Sequence, residues 1–264
     1  MNKTVKKILI SLLCVFLALL LAVGSYAAYV LISYSRIEDF LSLEVSPAAE
    51  ENAEIAESVR IGTTYTAVSF NIGFGAYTPD FTFFMDGGKE SRAESKESVI
   101  AHVTSAAETA LSLSPDFALF QETDTSSTRS HHVNERTLIA DVFSSFQSVF
   151  AVNYHSAYLM YPIFEPHGKS NSGILTFSKT AISSAVRRSL PISSSLSKLL
   201  DLDRCYSVSR IPAENGKEFV LYNVHLSAYG GSDEIRAAQM NMLFSDMKTE
   251  YDKGNYCLAG GDFN

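Results

Sequence analysis

The chain has 264 residues, 46% of them hydrophobic and 19% charged, which excludes disordered, collagen-like and coiled-coil architectures and leaves a globular domain of enzyme size. A formal charge of −8 argues against a protein held on phosphate backbones by electrostatics alone, while leaving brief catalytic contact open. Cys14, Cys205 and Cys257 show neither C-x-x-C spacing nor disulfide-scaffold density, so the chemistry lies elsewhere.

Residues 1–7 are a basic segment carrying Lys3, Lys6 and Lys7, and no charged residue follows until Arg36. Residues 8–32 therefore read as a transmembrane helix, since about 25 residues rise about 37 Å and exceed the ~30 Å hydrocarbon core. The basic flank predicts a cytoplasmic N-terminus and an extracytoplasmic remainder, that is, a single-pass protein of the cell membrane. A cleaved signal peptide competes, because Ser25-Tyr26-Ala27 offers a small-residue site; the apolar run continues past it through Ile32, which favours an anchor. Residues 33–59 follow as an acidic stalk. From Ile37 to Val59 there are seven acidic residues and no Lys or Arg, a composition that predicts a solvated spacer.

Residues 60–264 alternate short apolar runs with helical patterns, an α/β signature. Strands are predicted at 65–70, 117–120, 173–177, 205–210, 219–224 and 256–259. Helices are predicted at 92–113 and 233–252, the second with Ser232 as N-cap and Gly254 beyond its end. Its methionines fall at ordinary core spacing. Residues 73–90, 123–134 and 155–171 are polar and aromatic segments without a regular pattern, and they predict the substrate rim.

Four predicted strands end in groups suited to metal or phosphate chemistry: Asn71 after Ser69-Phe70, Glu122 after Phe120-Gln121, His225 after Asn223-Val224, and Gly260-Gly261-Asp262-Phe263-Asn264 after Leu258-Ala259. Singly, each suits a cap or a solvent-facing residue; their coincidence at strand ends suggests a site. Period two places Phe219, Leu221, Asn223 and His225 on one strand face. Gly260-Gly261 permits a close backbone approach beside Asp262. By contrast, His131-His132 with Glu135 fits no standard metal spacing and reads as a polar loop. Arg129 and Lys169 could each hold a substrate phosphate. Gly168-Lys169-Ser170 is not a phosphate-binding loop, because Ile163 stands where that motif needs Gly.

The ordered set Ser69-Phe70-Asn71-Ile72, Gln121-Glu122-Thr123-Asp124, Asn171-Ser172-Gly173-Ile174, Asn223-Val224-His225-Leu226 and Gly261-Asp262-Phe263-Asn264 resembles the endonuclease/exonuclease/phosphatase superfamily of metal-dependent phosphoesterases. The resemblance covers about residues 64–264. It implies two mixed β-sheets packed as a four-layer sandwich flanked by helices, here following one N-terminal transmembrane helix. It implies Mg²⁺, or Mn²⁺, with Glu122 as the principal carboxylate ligand and Asn71 beside it; oxygen donors suit such hard cations. By the same resemblance Asp262 orients or activates the attacking water, Asn264 and His225 meet the phosphoryl oxygens, and Asn171 and Lys169 bind substrate. Family members carry a further C-terminal Asp-His pair, and nothing follows Asn264 here, so an incomplete domain, inactive alone, is expected.

The reading is thus a membrane-anchored, extracytoplasmic, divalent-metal-dependent hydrolase of phosphate esters, acting by water attack on phosphorus. The substrate is a lipid headgroup, nucleic acid or small phosphoester, the membrane is engaged through the N-terminal helix, and no obligate protein partner is inferred. The acidic balance and the lack of a basic stripe interleaved with aromatics lean away from nucleic acid. The alternatives are a catalytically inactive relative that binds a phosphorylated ligand, and a structural membrane-anchored domain.

Overall fold

The computed structural model of the chain describes residues 2–195, 198, 203–228 and 232–264. Helix α1 (Lys3–Ile32) is capped by the Asn2 side chain and has a mean hydropathy of 2.8 over its most apolar 18 residues. By length and composition it can cross a membrane.

The body is built on two five-stranded sheets. One runs in the order β1 (Leu41–Leu43), β7 (Ser184–Ser189), β8 (Cys205–Pro212), β9 (Glu218–His225), β10 (Tyr256–Asp262). The other runs β2 (Val45–Ser46), β5 (Gln147–His155), β6 (Asn171–Ser178), β4 (Phe117–Asp124), β3 (Ala67–Asn71). Both are mixed: β9 with β10 and β3 with β4 are parallel pairs, and the remaining pairs are antiparallel.

Alternation along the strands creates the layers. Phe117 and Leu119 of β4 meet Leu221 and Ile211 of the opposite sheet, so the sandwich interior is apolar. Ala118 and Phe120 point the other way, onto Val99, Val103 and Ala107 of α2 (Lys96–Ser112) and Ile139 of α3 (Glu135–Val142). Val220, Tyr222 and Val224 of β9 cover Leu243 of α4 (Asp233–Asp252). The result is helix, sheet, sheet, helix, the four-layer arrangement that the resemblance implies.

Ser232 caps α4 as its sequence predicts, accepting from the Ile235 backbone N–H. Helix α2 begins at Lys96 rather than Arg92, because Ser95 adopts an extended backbone and its hydroxyl accepts from the Ser98 N–H at 3.0 Å. Strands β5 and β7 were outside the predicted set; β7 reads as polar because Arg187 is a core residue in disguise. That side chain is 1% exposed. Its guanidinium donates to the backbone oxygens of Val152 (2.9 Å), Glu38 (3.3 Å) and Asp203, which ties three other segments to β7, and to the Ser189 hydroxyl within the strand.

The acidic segment corrects the expectation of a solvated spacer. β1 pairs with β7 and β2 with β5, so residues 41–46 step from the edge of one sheet to the edge of the other. Anchoring begins before β1: Arg36 donates to the Leu190 carbonyl, the Ile37 N–H to Asp203 (2.9 Å), and Asp39 accepts from Arg188 (3.0 Å) and the Ser189 N–H (2.8 Å). Downstream, the Ala56 N–H bonds to the Lys179 carbonyl and the Val59 N–H to that of Pro212. The missing basic residues lie across the strand pair, on β7, instead of along the segment itself. Local charge composition is blind to such partners.

Candidate functional site

Parallel pairing fixes which strand ends meet. Asn71 lies opposite Gln121 in the β3–β4 register, and Asp262 lies opposite His225 in the β9–β10 register. The two C-terminal ends of each pair therefore emerge at one edge of the sandwich. Asn71, Glu122, His225, Asp262 and Asn264 all line one cavity of about 640 Å³, walled by Gly73, Gly75 and Tyr77 on one loop and by His102 and Ser105 of α2.

Local backbone irregularity aims the side chains. The β4–β6 register shifts between Phe120 and Thr123, and Glu122 has φ +57°. A bulge of this kind interrupts in/out alternation, and a left-handed non-glycine residue is held there only by its surroundings. On β10, Gly261 has φ +135°, and a Cβ at that position would sit 2.0 Å from the Val224 carbonyl oxygen. Only glycine lets β10 run this close to β9 and deliver Asp262.

The Asn71 amide joins the two carboxylates, its Nδ2 donating to Asp262 Oδ2 (2.6 Å) and to Glu122 Oε1 (3.3 Å), while its Oδ1 accepts from the Gly73 N–H (3.0 Å). His225 Nε2 is 4.0 Å from Glu122 Oε1 and 3.9 Å from Asp262 Oδ2. The backbone N–H of Asn264 donates to Asp262 Oδ1 (2.9 Å), and its side-chain amide donates to the Leu226 carbonyl (2.9 Å). Asp262 is thus held at both oxygens.

Burial, reinforced by the Arg204 and Arg129 charges, pushes the His225 imidazole well below its ordinary value, so the ring is neutral. Asn153 Nδ2 donates to Nδ1 at 3.3 Å, which leaves the ring proton on Nε2, facing the carboxylates and the cavity. Arg129 is buried, which works against its charge, but the bidentate pair with Asp124 (3.0 and 2.8 Å) outweighs this and holds the guanidinium charged. It lies 4.0 Å from Glu122 and stacks 4.0 Å over the Phe74 ring.

Two carboxylates sharing one neutral amide, with Arg129 4.0 Å from Glu122 and Arg204 lining the same cavity, form a focus of oxygen donors. Their chemistry fits Mg²⁺ or Mn²⁺, which take few protein carboxylates and complete their shells with water and substrate oxygens. Among the described residues no group of three or more His, Cys, Asp or Glu side chains is placed to hold a metal ion. Asn71 Oδ1 accepts one hydrogen bond and keeps a second lone pair.

Asn171 and Lys169 lie elsewhere. The Asn171 amide donates to Thr125 Oγ1 (2.8 Å) and pins the loop after β4 to the start of β6. Lys169 is exposed on a loop whose backbone pairs with Thr128 (2.8 and 3.1 Å), and it lines no part of the cavity. Arg129, weighed as a phosphate contact, is committed to Asp124. Residues beyond the sequence reading are Asn153, Tyr77 and His102. Asn153 sits on the unpredicted strand β5; an isolated asparagine in an apolar run was its only signal.

No protein-family model matches the chain, and no curated protein matches it. Among solved structures, it is similar to an endonuclease/exonuclease/phosphatase from Beutenbergia cavernae, at 17% identity and TM-score 0.46 over 69% of this chain and 43% of that one. It is also similar to an endonuclease/exonuclease/phosphatase family protein from Leptotrichia buccalis (11% identity, TM-score 0.47, 76% of this chain and 67% of that one). A third is ANGEL2, a 2′,3′-cyclic phosphatase, in complex with adenosine-2′,3′-vanadate (14% identity, TM-score 0.47, 76% and 53%). The chain spans less than half the length of the Beutenbergia protein. No residue role follows from likenesses this remote.

Proposed function

We propose that this chain is a divalent-cation-dependent hydrolase of phosphate esters, anchored in a membrane by α1 with its body on the extracytoplasmic side. The observation that carries the hydrolase reading is the Glu122–Asn71–Asp262 arrangement beside a neutral His225 at the mouth of an open cavity. Lys3, Lys6 and Lys7 before the apolar helix support the sidedness.

Asp262, fixed through both oxygens, is placed to orient a water and accept its proton as it attacks phosphorus. His225 Nε2–H donates to a non-bridging phosphoryl oxygen; being neutral and already buried, the ring needs no reorganisation as charge develops there. One hydrogen of the Asn264 amide is engaged by Leu226, and the other is left for a second phosphoryl oxygen. Glu122 and Asn71 would hold the cation. Bound there, it would neutralise phosphate charge and stabilise the charge that builds on the oxygens during displacement.

The test uses the full chain in detergent or nanodiscs, with phosphomonoesters and phosphodiesters presented with Mg²⁺ or with chelator. A rise in Tm on adding Mg²⁺ that Glu122→Gln removes supports the cation site, and Mg²⁺-dependent hydrolysis supports the proposal while overturning the expectation that the chain is inactive alone. Tight, Mg²⁺-dependent binding of phosphoesters without turnover favours a binding module instead. Neither stabilisation nor binding overturns both.

A further inference from the structure

We infer that the loop 156–164 is a membrane-seating surface that lies in the headgroup region of the same bilayer that α1 crosses. The inference rests on the anchor half of the proposed function and is independent of the hydrolase half. No charged residue occurs from Ser156 to Phe164. Within it Tyr158, Met160, Tyr161, Ile163 and Phe164 are 39, 54, 67, 78 and 102% exposed. Elsewhere on the described body, exposed large apolar residues are scattered; here five crowd into seven positions. Contiguous apolar exposure of this kind marks a binding surface.

The loop is built to stay outside. Leu159 and Gly168 exchange both backbone hydrogen bonds at 3.0 Å, and the His167 N–H bonds to the Tyr161 carbonyl at 3.1 Å. Arg92 Nε donates to the Pro166 carbonyl at 2.7 Å, and the Phe84 ring lies 5.8 Å from that of Tyr161. The apolar side chains are presented on a braced turn that the body does not cover.

Contacts with α1 identify the occupant. Tyr26 of α1 donates its hydroxyl to the Tyr158 carbonyl (3.2 Å) and accepts from the Met160 N–H (2.9 Å), and the Tyr29 hydroxyl accepts from the Tyr158 N–H (3.1 Å). From Lys7 to Tyr26 the helix rises about 28 Å, close to the ~30 Å hydrocarbon thickness. Lysines and tyrosines therefore bracket the apolar core, with Tyr26 and Tyr29 at the depth where aromatic belts sit. The loop is hydrogen-bonded to that belt and shares its depth. The bonds from Arg36 to Asp39 onto the body keep this registration from being lost by swinging.

The chain contains no Trp, so single-tryptophan variants report depth directly. The full chain is placed in phosphatidylcholine nanodiscs with or without brominated acyl chains. Phe164→Trp tests the loop, Leu13→Trp the helix, and Phe244→Trp, on α4 and 54% exposed, the body. The expected result is a blue-shifted emission for Phe164→Trp and a loss of intensity with brominated lipid approaching that of Leu13→Trp, with no loss for Phe244→Trp. Quenching of Leu13→Trp alone overturns the seating and leaves the anchor intact. Equal quenching of all three overturns it as well, since the loop would not be singled out. No quenching of Leu13→Trp overturns the anchor and the seating together, without touching the hydrolase reading, which cation-dependent turnover tests separately.

Discussion

Glu122 and Asp262 are like charges meeting at one amide, and that makes the effect of removing either legible in advance. Glu122→Gln relieves repulsion in the cation-free protein, so its Tm without Mg²⁺ is expected not to fall, while stabilisation by Mg²⁺ disappears. For a ligand present at 100 times its Kd that stabilisation is about 2.7 kcal/mol, readily seen by calorimetry with and without metal. A lower Tm without Mg²⁺ would show Glu122 to be a structural residue. Gly261→Ala combines a forbidden φ with a Cβ 2.0 Å from the Val224 carbonyl oxygen, so β10 must shift. A loss of about 2 kcal/mol or more in denaturant unfolding is expected, along with loss of Mg²⁺ stabilisation as Asp262 moves off Asn71. At this scale the sequence marked Asn71, Glu122 and His225 at the ends of apolar runs and Asp262 and Asn264 beyond a Gly-Gly pair, and the fold brings all five to one cavity. It was silent on Asn153 and on the commitment of Arg129 to Asp124, both products of tertiary pairing.

Between elements, the sheets are joined beneath the site by a buried amide bridge. Gln121 Nε2 donates to Asn223 Oδ1 at 2.8 Å, and Asn223 Nδ2 reaches from β9 to the Leu175 carbonyl (3.1 Å) and Thr176 Oγ1 (3.2 Å) on β6. Asn223→Leu strands these groups in an apolar interior, and unfolding measurements should record a loss of about 2–3 kcal/mol. Strand β5 meets the chain leaving α1 through His155, whose ring pairs with Asp203, the residue that also accepts from the Ile37 N–H. The Asp203 hydrogen bond raises the His155 value above the ordinary one, against partial burial and the charges of Arg187 and Lys169. The folded value lies above the unfolded one. The pair's stabilisation is therefore full below about pH 6.5 and fades as pH rises through the folded value. Tm of the wild type should decline over that range relative to His155→Gln; parallel profiles would count against the pairing. Of the strands outside the predicted set, three have polar partners, β7 through Arg187, and β1 and β2 through an acidic composition whose complement lies across the ladder; β5, with its apolar Val149 to Val152, does not share that reason.

For the whole molecule, alternating apolar runs and helical patterns were enough for an α/β body, the four layers followed only from the resemblance, and the joint between helix and body could not be read at all. Arg187 lies at that joint, and Arg187→Leu leaves the carbonyls of Glu38, Val152 and Asp203 without their donor. At about 1 kcal/mol each, a loss of about 3 kcal/mol is expected. Hydrogen exchange should show residues 36–46 released ahead of the rest of the sheet. Uniform destabilisation without local release would mean that the joint is held by other bonds.

Between Ile32, where α1 ends, and Arg36, the first of the bonds that run on to Asp39, lie only residues 33–35. Fully extended they give about 10 Å of slack. A body on so short a leash, bonded besides to Tyr26 and Tyr29 of the helix, cannot rise far from the end of that helix. For a substrate that lies in the same bilayer, the proposed hydrolysis would then follow how many targets occupy each unit of surface rather than how many are present in each unit of volume. Dilution of such a substrate with inert lipid would slow that hydrolysis even at constant total substrate.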